Sequence, residues 1–290
     1  MAEWLKAPVL KTGKGQPFVS SNLTASATIV MRLRTVTATR YVTPLREGGS
    51  LPAVVEADDD GLYVLKFRGA GQGPKALVAE LIAGEIARAA GLPVPDIVLI
   101  ELDAELARTE PDAEIQDLIR ASVGLNVALD YLPGAVAFDP LVQPVDTDLA
   151  AAIVWFDAFV TNPDRTARNT NLLVWHRRLW LIDHGAALYF HHNWSTAAET
   201  SISAFARIKD HVLLKFARRL EQVDAQLVER ITPERIADIV QAVPDTLLAG
   251  EPAFASSGEL RAAYTHALTR RLQAPRAFVT EAIRAQSLHV

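Results

Sequence analysis

The stretch Asp164-Arg165-Thr166-Ala167-Arg168-Asn169 puts a carboxylate five residues ahead of a carboxamide, and Asp183-His184-Gly185 brings a second carboxylate nineteen residues after the first. A carboxylate at the first position can accept the proton of a hydroxyl nucleophile. Asn169 and Asp183 offer hard oxygen ligands that can hold Mg²⁺ against the phosphates of ATP. The phosphates also need a cation, and Lys66 stands inside the apolar run Tyr63-Val64-Leu65-Lys66-Phe67. A Lys centred in such a strand is costly to bury unpaired. A carboxylate on the following helix resolves this, with Glu80 the best placed and Glu85, about one and a half turns later, the alternative. Together these residues point to phosphoryl transfer, which asks a protein mainly for charge neutralisation and alignment of donor and acceptor.

Two glycine-rich stretches could approach the phosphates through backbone N–H groups: Glu47-Gly48-Gly49-Ser50, between two strands, and Gly69 to Lys75, directly after Lys66. Either could equally be a plain turn or connection. Asp130-Tyr131-Leu132, followed by Pro133-Gly134, reads as a strand running into a linker whose backbone would meet the adenine edge. Each motif alone is common by chance. Their order along the chain, on matching elements, sets them apart.

Those elements follow from periodicity and punctuation. Strands are expected over 32–41, 52–57, 62–67, 97–102 and from 124 into the linker, with Asp58-Asp59-Asp60-Gly61 closing a hairpin rather than forming a calcium loop. A helix is expected over 75–90, stopped by Gly91 and the prolines behind it. Residues 108–120 fit either a helix or a mobile insert. A strongly apolar helix over 148–161 should lie buried under the catalytic loop, and Leu172–Trp175 and Leu179–Ile182 should form a short hairpin. Further helices are expected over 202–220, from Thr232-Pro233-Glu234, and once or twice over 259–286. His191-His192 reads as ordinary loop, with no third metal ligand in sight. The fold class is therefore α+β and two-lobed, like protein kinases: an N-terminal antiparallel sheet lobe with one helix over 31–132, and a mainly helical C-terminal lobe over 133–290.

At these residues the chain resembles the HipA-like kinases. The resemblance runs through Tyr63 to Pro95, Gly124 to Gly134 and Asp157 to Tyr189, and the Asp-before-Arg order of Asp164-Arg165 is shared with HipA and lipid kinases. It implies ATP and Mg²⁺ as cofactors, Asp164 as catalytic base, Asn169 and Asp183 as metal ligands, Lys66 on the phosphates, and a Ser/Thr acceptor on a protein. It also implies that Ser50 could be a phosphorylation site in the phosphate-covering loop, where the residues by themselves fit a hydrogen bond within the turn. Thr166 stands where HipA proteins usually carry His, and the chain is shorter than full HipA toxins. The closer match is a compact HipA-like subgroup. A nucleotide-binding pseudokinase and a kinase-fold AMP-transferase remain alternatives.

Composition narrows the setting. Half of the 290 residues are hydrophobic, and there is no cysteine, which excludes disulfides and thiolate metal sites. The formal charge of −5 argues against a nucleic-acid partner, and no apolar run reaches membrane-spanning length. A cytoplasmic protein is expected. Residues 1–30, rich in Ser, Thr, Gly and Lys without sustained period, read as a disordered or spurious extension ahead of a start at Met31. A signal peptide is the competing reading, but it lacks the apolar core.

Overall fold

A computed structural model describes residues 33–45, 51–71 and 73–288. The expectations for residues 1–30 and for the Gly48-Gly49-Ser50 turn fall outside these.

Five strands build the first half: β1 (Thr35–Pro44), β2 (Ala53–Ala57), β3 (Leu62–Lys66), β4 (Ile97–Leu102) and β5 (Gly124–Asp130). Alternation along β1 turns Val36, Ala38 and Tyr41 inward. β1, β2 and β3 follow each other antiparallel, β3 pairs β5, and β5 pairs β4. The expected purely antiparallel sheet is corrected at one seam. β4 runs parallel to β1, with Thr35 opposite Leu99 and Val36 opposite Ile100, and the sheet closes into a five-stranded barrel. Closure leaves no unpaired edge, which an open five-stranded sheet would expose on both sides.

The barrel interior is filled by alternate residues, among them Val36, Val55, Tyr63, Leu65, Val98, Ile100 and Ala128. The intervening residues Ile97, Leu99, Val127 and Leu129 face outward into a second, larger core. That two-sided burial explains why β4 reads as a nearly unbroken apolar run. Helix α1 (Pro74–Ala90) covers this outer face. It comes so close to β4 that a Cβ on Gly84 would lie 2.4 Å from Ile97 Cδ1. Gly91 ends α1 in the left-handed conformation (φ 84°), its N–H capping Ala87 and Arg88. The ambiguous segment 108–120 resolves into a 3-10 turn (Ala104–Thr109) and helix α2 (Ala113–Ala121), N-capped by Asp112, whose Ile115 and Ile119 plug the barrel.

Beyond Asp130 the chain crosses to a small sheet of β6 (Val136–Ala137), β7 (Leu172–Trp175) and β8 (Arg178–Leu181). Leu132 and Ala135 of the crossing pack on Leu173 of β7. Helix α3 (Thr147–Phe159) starts at Asp146, whose carboxylate accepts N–H groups of Asp148 and Leu149. Its second half is buried on every face, as its uniform apolarity demands. Around it lie α4 (Ala197–Thr200), α5 (Leu220–Arg230), α6 (Pro233–Gln241), α7 (Asp245–Leu248), α8 (Ser257–Leu272) and α9 (Ala277–Ser287). Thr232 caps α6 as its sequence indicates.

The helix expected over 202–220 does not form. Two 3-10 turns (Ala206–Asp210 and Leu214–Phe216) stand there, and the helix begins only at Leu220. Phe205 and Arg219 hold left-handed backbone (φ 55° and 54°), which breaks helical propagation. Between them, Val212 N–H donates to Arg165 O (3.1 Å) and His211 forms a β-bridge with Thr166. Tertiary bonding to Arg165 and Thr166 thus overrides local apolar periodicity. Among the described residues no helix is long and apolar enough to cross a membrane.

Candidate active site

Val64 and Lys66, two apart on β3, share the strand face opposite to the barrel interior. They form one wall of a cleft of about 210 Å³, joined by Leu129, Asp130 and Leu132. The facing wall is the loop-and-hairpin segment Asn169–Leu173 with Ile182 and Asp183. Leu45 and Pro52, which flank the turn expected over the phosphates, also line it, and their backbones bond at 2.7 Å. Tyr131, expected at the cofactor, does not line this cleft. It is 8% exposed and its N–H donates to Leu62 O (2.9 Å).

Lys66 is held by two carboxylates. Its Nζ donates to Glu80 Oε2 at 2.7 Å and to Asp183 Oδ1. The Lys66 side chain is 12% exposed, Glu80 fully buried and Asp183 42% exposed. Burial pulls the ammonium down, but Asp183 and then Glu80 outweigh it, holding Lys66 above the usual lysine range. Burial works equally against charge on Glu80, and Lys66 together with His184 overcomes it, keeping the carboxyl well below the usual range. Glu80 therefore stays ionised behind Lys66 rather than in the cleft wall. Its other support comes from His184, whose backbone N–H donates to Oε2 (2.8 Å) and whose Nδ1 lies 3.3 Å from Oε1. The alternative, Glu85, sits 3.5 Å from Arg88 instead. Lys75, the last residue of the second glycine-rich stretch, is engaged away from the cleft: it pairs with Glu251 (2.7 Å) and donates to His191 O (3.0 Å).

Asp164 sits beside the facing wall. Its Oδ2 accepts Asn169 Nδ2 (2.8 Å) and Asn171 Nδ2 (3.2 Å), and its own N–H donates to Asn162 Oδ1 (3.1 Å). Burial comes first in raising its carboxyl above the ordinary aspartate value, and the charge of Asp183 adds to it. With Oδ2 occupied, Oδ1 is the oxygen left to take a proton. Because Asn169 uses its amide nitrogen on Asp164, its carbonyl oxygen is available to a cation. Asp183 (φ 57°) and Asn171 (φ 46°) both hold left-handed backbone, an uncommon state for non-glycine residues that concentrates at functional sites.

Beneath the loop lies a second charged cluster that motif reading missed. Asp157, fully buried in α3, accepts Arg165 Nε (2.6 Å) and His211 Nε2 (2.9 Å) on Oδ2 and Asn162 Nδ2 (2.9 Å) on Oδ1. Leu213 N–H donates to His211 Nδ1 (3.0 Å), so the proton of the neutral ring sits on Nε2. Burial, only partly opposed by Asp157, keeps that ring below the usual histidine range. Arg165 also donates through Nη1 to the carbonyls of Asn171 and Ile182, tying the catalytic loop to the segment before Asp183. Arg271 closes the end of α3, donating to Ala158 O and Phe159 O (both 2.7 Å). A signal did exist: a lone Asp inside Ile153-Val154-Trp155-Phe156-Asp157-Ala158-Phe159 must be paired if buried. Nothing local marked His211, His184 or Asn171.

His191, expected as plain loop, is fully buried, and its Nδ1 lies 3.0 Å from Tyr264 Oη. Burial, then His192 and Lys75, holds it down to about 3.

The golgi casein kinase aligns over 89% of this chain and 75% of its own at 12% identity (TM-score 0.47), and its crystal structure with Mn/ADP bound aligns over 88% and 73%, also at 12% identity and TM-score 0.47. The proinflammatory kinase CtkA of Helicobacter pylori aligns over 88% of this chain and 99% of its own at 14% identity, with a TM-score of 0.52, a likeness that gives the chain a kinase-like fold. No curated protein matches the chain. A model of the HipA-like kinases matches residues 39–278, which takes in the barrel, the cleft, both charged clusters and nearly all the helices. On that match, the chain belongs to the HipA-like kinase family.

Proposed function

We propose that the chain transfers a phosphoryl group from Mg-ATP to a Ser or Thr hydroxyl of a protein, with residues 31–132 and 133–290 acting as the two lobes around the nucleotide. The observation that carries this reading is that Lys66, held by Glu80, and Asp183 line one cleft with Asn169 and Asn171, the two residues whose amides hold Asp164 beside it.

The residues fit the cofactors. Val64, Leu129, Leu132 and Leu173 offer apolar walls for a purine, and Asp130 and Leu132 lie where the chain leaves the barrel. Asp183 and the Asn169 carbonyl are hard oxygen donors. Among the described residues no group of three His, Cys, Asp or Glu side chains could hold a metal ion, but Mg²⁺ needs no such cage when phosphates and waters complete its shell. When bound, Mg²⁺ supplies neutralisation of the phosphate charge.

The chain's own groups do the rest. Lys66 neutralises phosphate oxygens, kept in place by Glu80. Asp164 Oδ1 takes the acceptor's hydroxyl proton, while the two Asn amides fix the carboxylate through Oδ2. The cleft aligns donor and acceptor. Incubation with γ-labelled ATP and mass analysis of the products tests the reading. ADP and a phosphorylated acceptor are expected, with loss of transfer in Asp164→Asn. Release of pyrophosphate with an AMP-modified acceptor, or nucleotide binding without turnover, would overturn it.

A further inference from the structure

Two strips of chain are tied by hydrogen bonds to the segment 160–166, which runs from the end of α3 into the loop that carries Asp164. On one side Leu188 N–H donates to Val160 O (2.7 Å) and Tyr189 N–H to Thr161 Oγ1 (2.9 Å). On the other, Val212 N–H donates to Arg165 O (3.1 Å) and His211 bridges Thr166. The Arg207 guanidinium lies 5.8 Å from the Tyr189 ring centroid and links the strips. This rim lies close to Asp164 along the chain, since the bonded residues Arg165 and Thr166 follow it directly.

The rim is basic. Arg168, in the loop itself, and Arg207 and Lys209, beside it, are exposed. Among the described residues neither Arg168 nor Arg207 has a carboxylate in ion-pair reach, and Lys209 meets only its neighbour Asp210 at 3.5 Å, both well exposed. Of the other cations in residues 201–219, Arg218 and Arg219 lie against Thr147 and Asp148 at the far end of α3, so the rim's own charges are Arg168, Arg207 and Lys209. The whole chain is acidic, at −5. Exposed positive charge therefore stands beside Asp164 on a chain that is acidic as a whole.

Resting on the phosphotransfer reading above, we propose that the acceptor is a Ser or Thr within an acidic protein segment, whose carboxylates are taken by Arg168, Arg207 and Lys209. Guanidinium groups match carboxylates with paired, directed hydrogen bonds. A patch of three cations on an acidic chain suits a short acidic run. A nucleic acid or an anionic membrane presents charge over a large area and would be repelled by the rest of the surface.

The full chain, given Mg-ATP and a degenerate Ser/Thr peptide library, should favour acid-flanked acceptors. Arg168→Glu combined with Arg207→Glu should raise KM for an acidic peptide about tenfold and move the preference towards basic flanks, with the melting temperature and calorimetric ATP affinity read in parallel as controls. Transfer indifferent to flanking charge overturns the proposal, as does a preference that survives the reversal, or transfer only to RNA or to phosphatidylserine vesicles offered alongside. Each of those outcomes leaves phosphotransfer standing. Absence of ATP turnover with every acceptor removes both readings.

Discussion

Two buried ionic clusters, one built around Arg165 and one reaching Asp183, differ in how completely they are closed. In Asp157–Arg165–His211, Asp157 and Arg165 are fully enclosed, His211 nearly so, and both Asp157 oxygens accept donors. In Lys66–Glu80–Asp183, Glu80 is enclosed but Asp183 is 42% exposed and faces a cleft. A closed network has no group left to exchange, so it serves as scaffold. A network with one exposed carboxylate can hand that carboxylate to an incoming cation while Lys66 keeps its other partner. The contrast separates charges enclosed within the fold from a charge left open to the cleft.

The sharpest way to break the contrast is Asp183→Ala. Turnover should fall on the order of 10³-fold or more, because an electrostatic clamp of the transition state is lost. The melting temperature should hold, since Lys66 retains Glu80. Steady-state kinetics beside calorimetry checks both halves, and a variant that stays active removes Asp183 from the mechanism. Arg165→Ala should instead act first on stability. It leaves the Asp157 carboxylate buried with only His211 and Asn162, and should cost about 3–5 kcal/mol of stability by denaturant titration. An Arg165→Ala protein as stable as the parent would refute the scaffold role.

Lys66→Met falls between the two. Loss of the phosphate contact should reduce turnover about 10²-fold, and Glu80, left to His184 alone, should destabilise the fold by about 1–3 kcal/mol. If stability were untouched, the cluster would be purely functional and the comparison would sharpen.

The smallest effect is acid sensitivity. His191 is held down to about 3 in the folded chain, against about 6.5 unfolded, so the unfolded state binds its proton first. Its stabilisation is complete above pH 6.5 and is lost progressively as pH falls toward 3. At pH 5.5 the loss should be about 1.4 kcal/mol from His191 alone. His211, also pushed down by burial, works in the same direction. Glu80 and Asp157, whose folded values are depressed, keep their contribution down to about pH 4 and lose it only below. Urea titrations at pH 7 and 5.5 should show the slope, and His191→Phe should flatten it. An unchanged slope in that variant would remove His191 as its source.

Much of this was legible in residue order. The strand around Lys66, the helix carrying Glu80, the buried helix before Asp164 and the hairpin before Asp183 follow from periodicity, caps and glycine stops, because each is a local pattern with its own physical cause. The chemical types needed for phosphoryl transfer could be named because their order and spacing are themselves covalent facts. What the chain alone could not disclose were partners distant in sequence. The parallel β1–β4 seam depends on barrel closure, which no strand signals by itself. His211 meets Asp157 across 54 residues and His184 meets Glu80 across 104. The failure of the 202–220 helix has the same origin: backbone bonds to the catalytic loop outcompete an apolar period that would otherwise wind up. Local propensity amounts to tenths of a kcal/mol per residue, whereas leaving buried polar groups unpaired costs several times more. Residue types and spacing therefore determined which chemistry was possible. Only tertiary packing decided which carboxylates were closed into the scaffold and which was left open at the cleft, because the cost of an unpaired buried charge is settled by neighbours far along the chain.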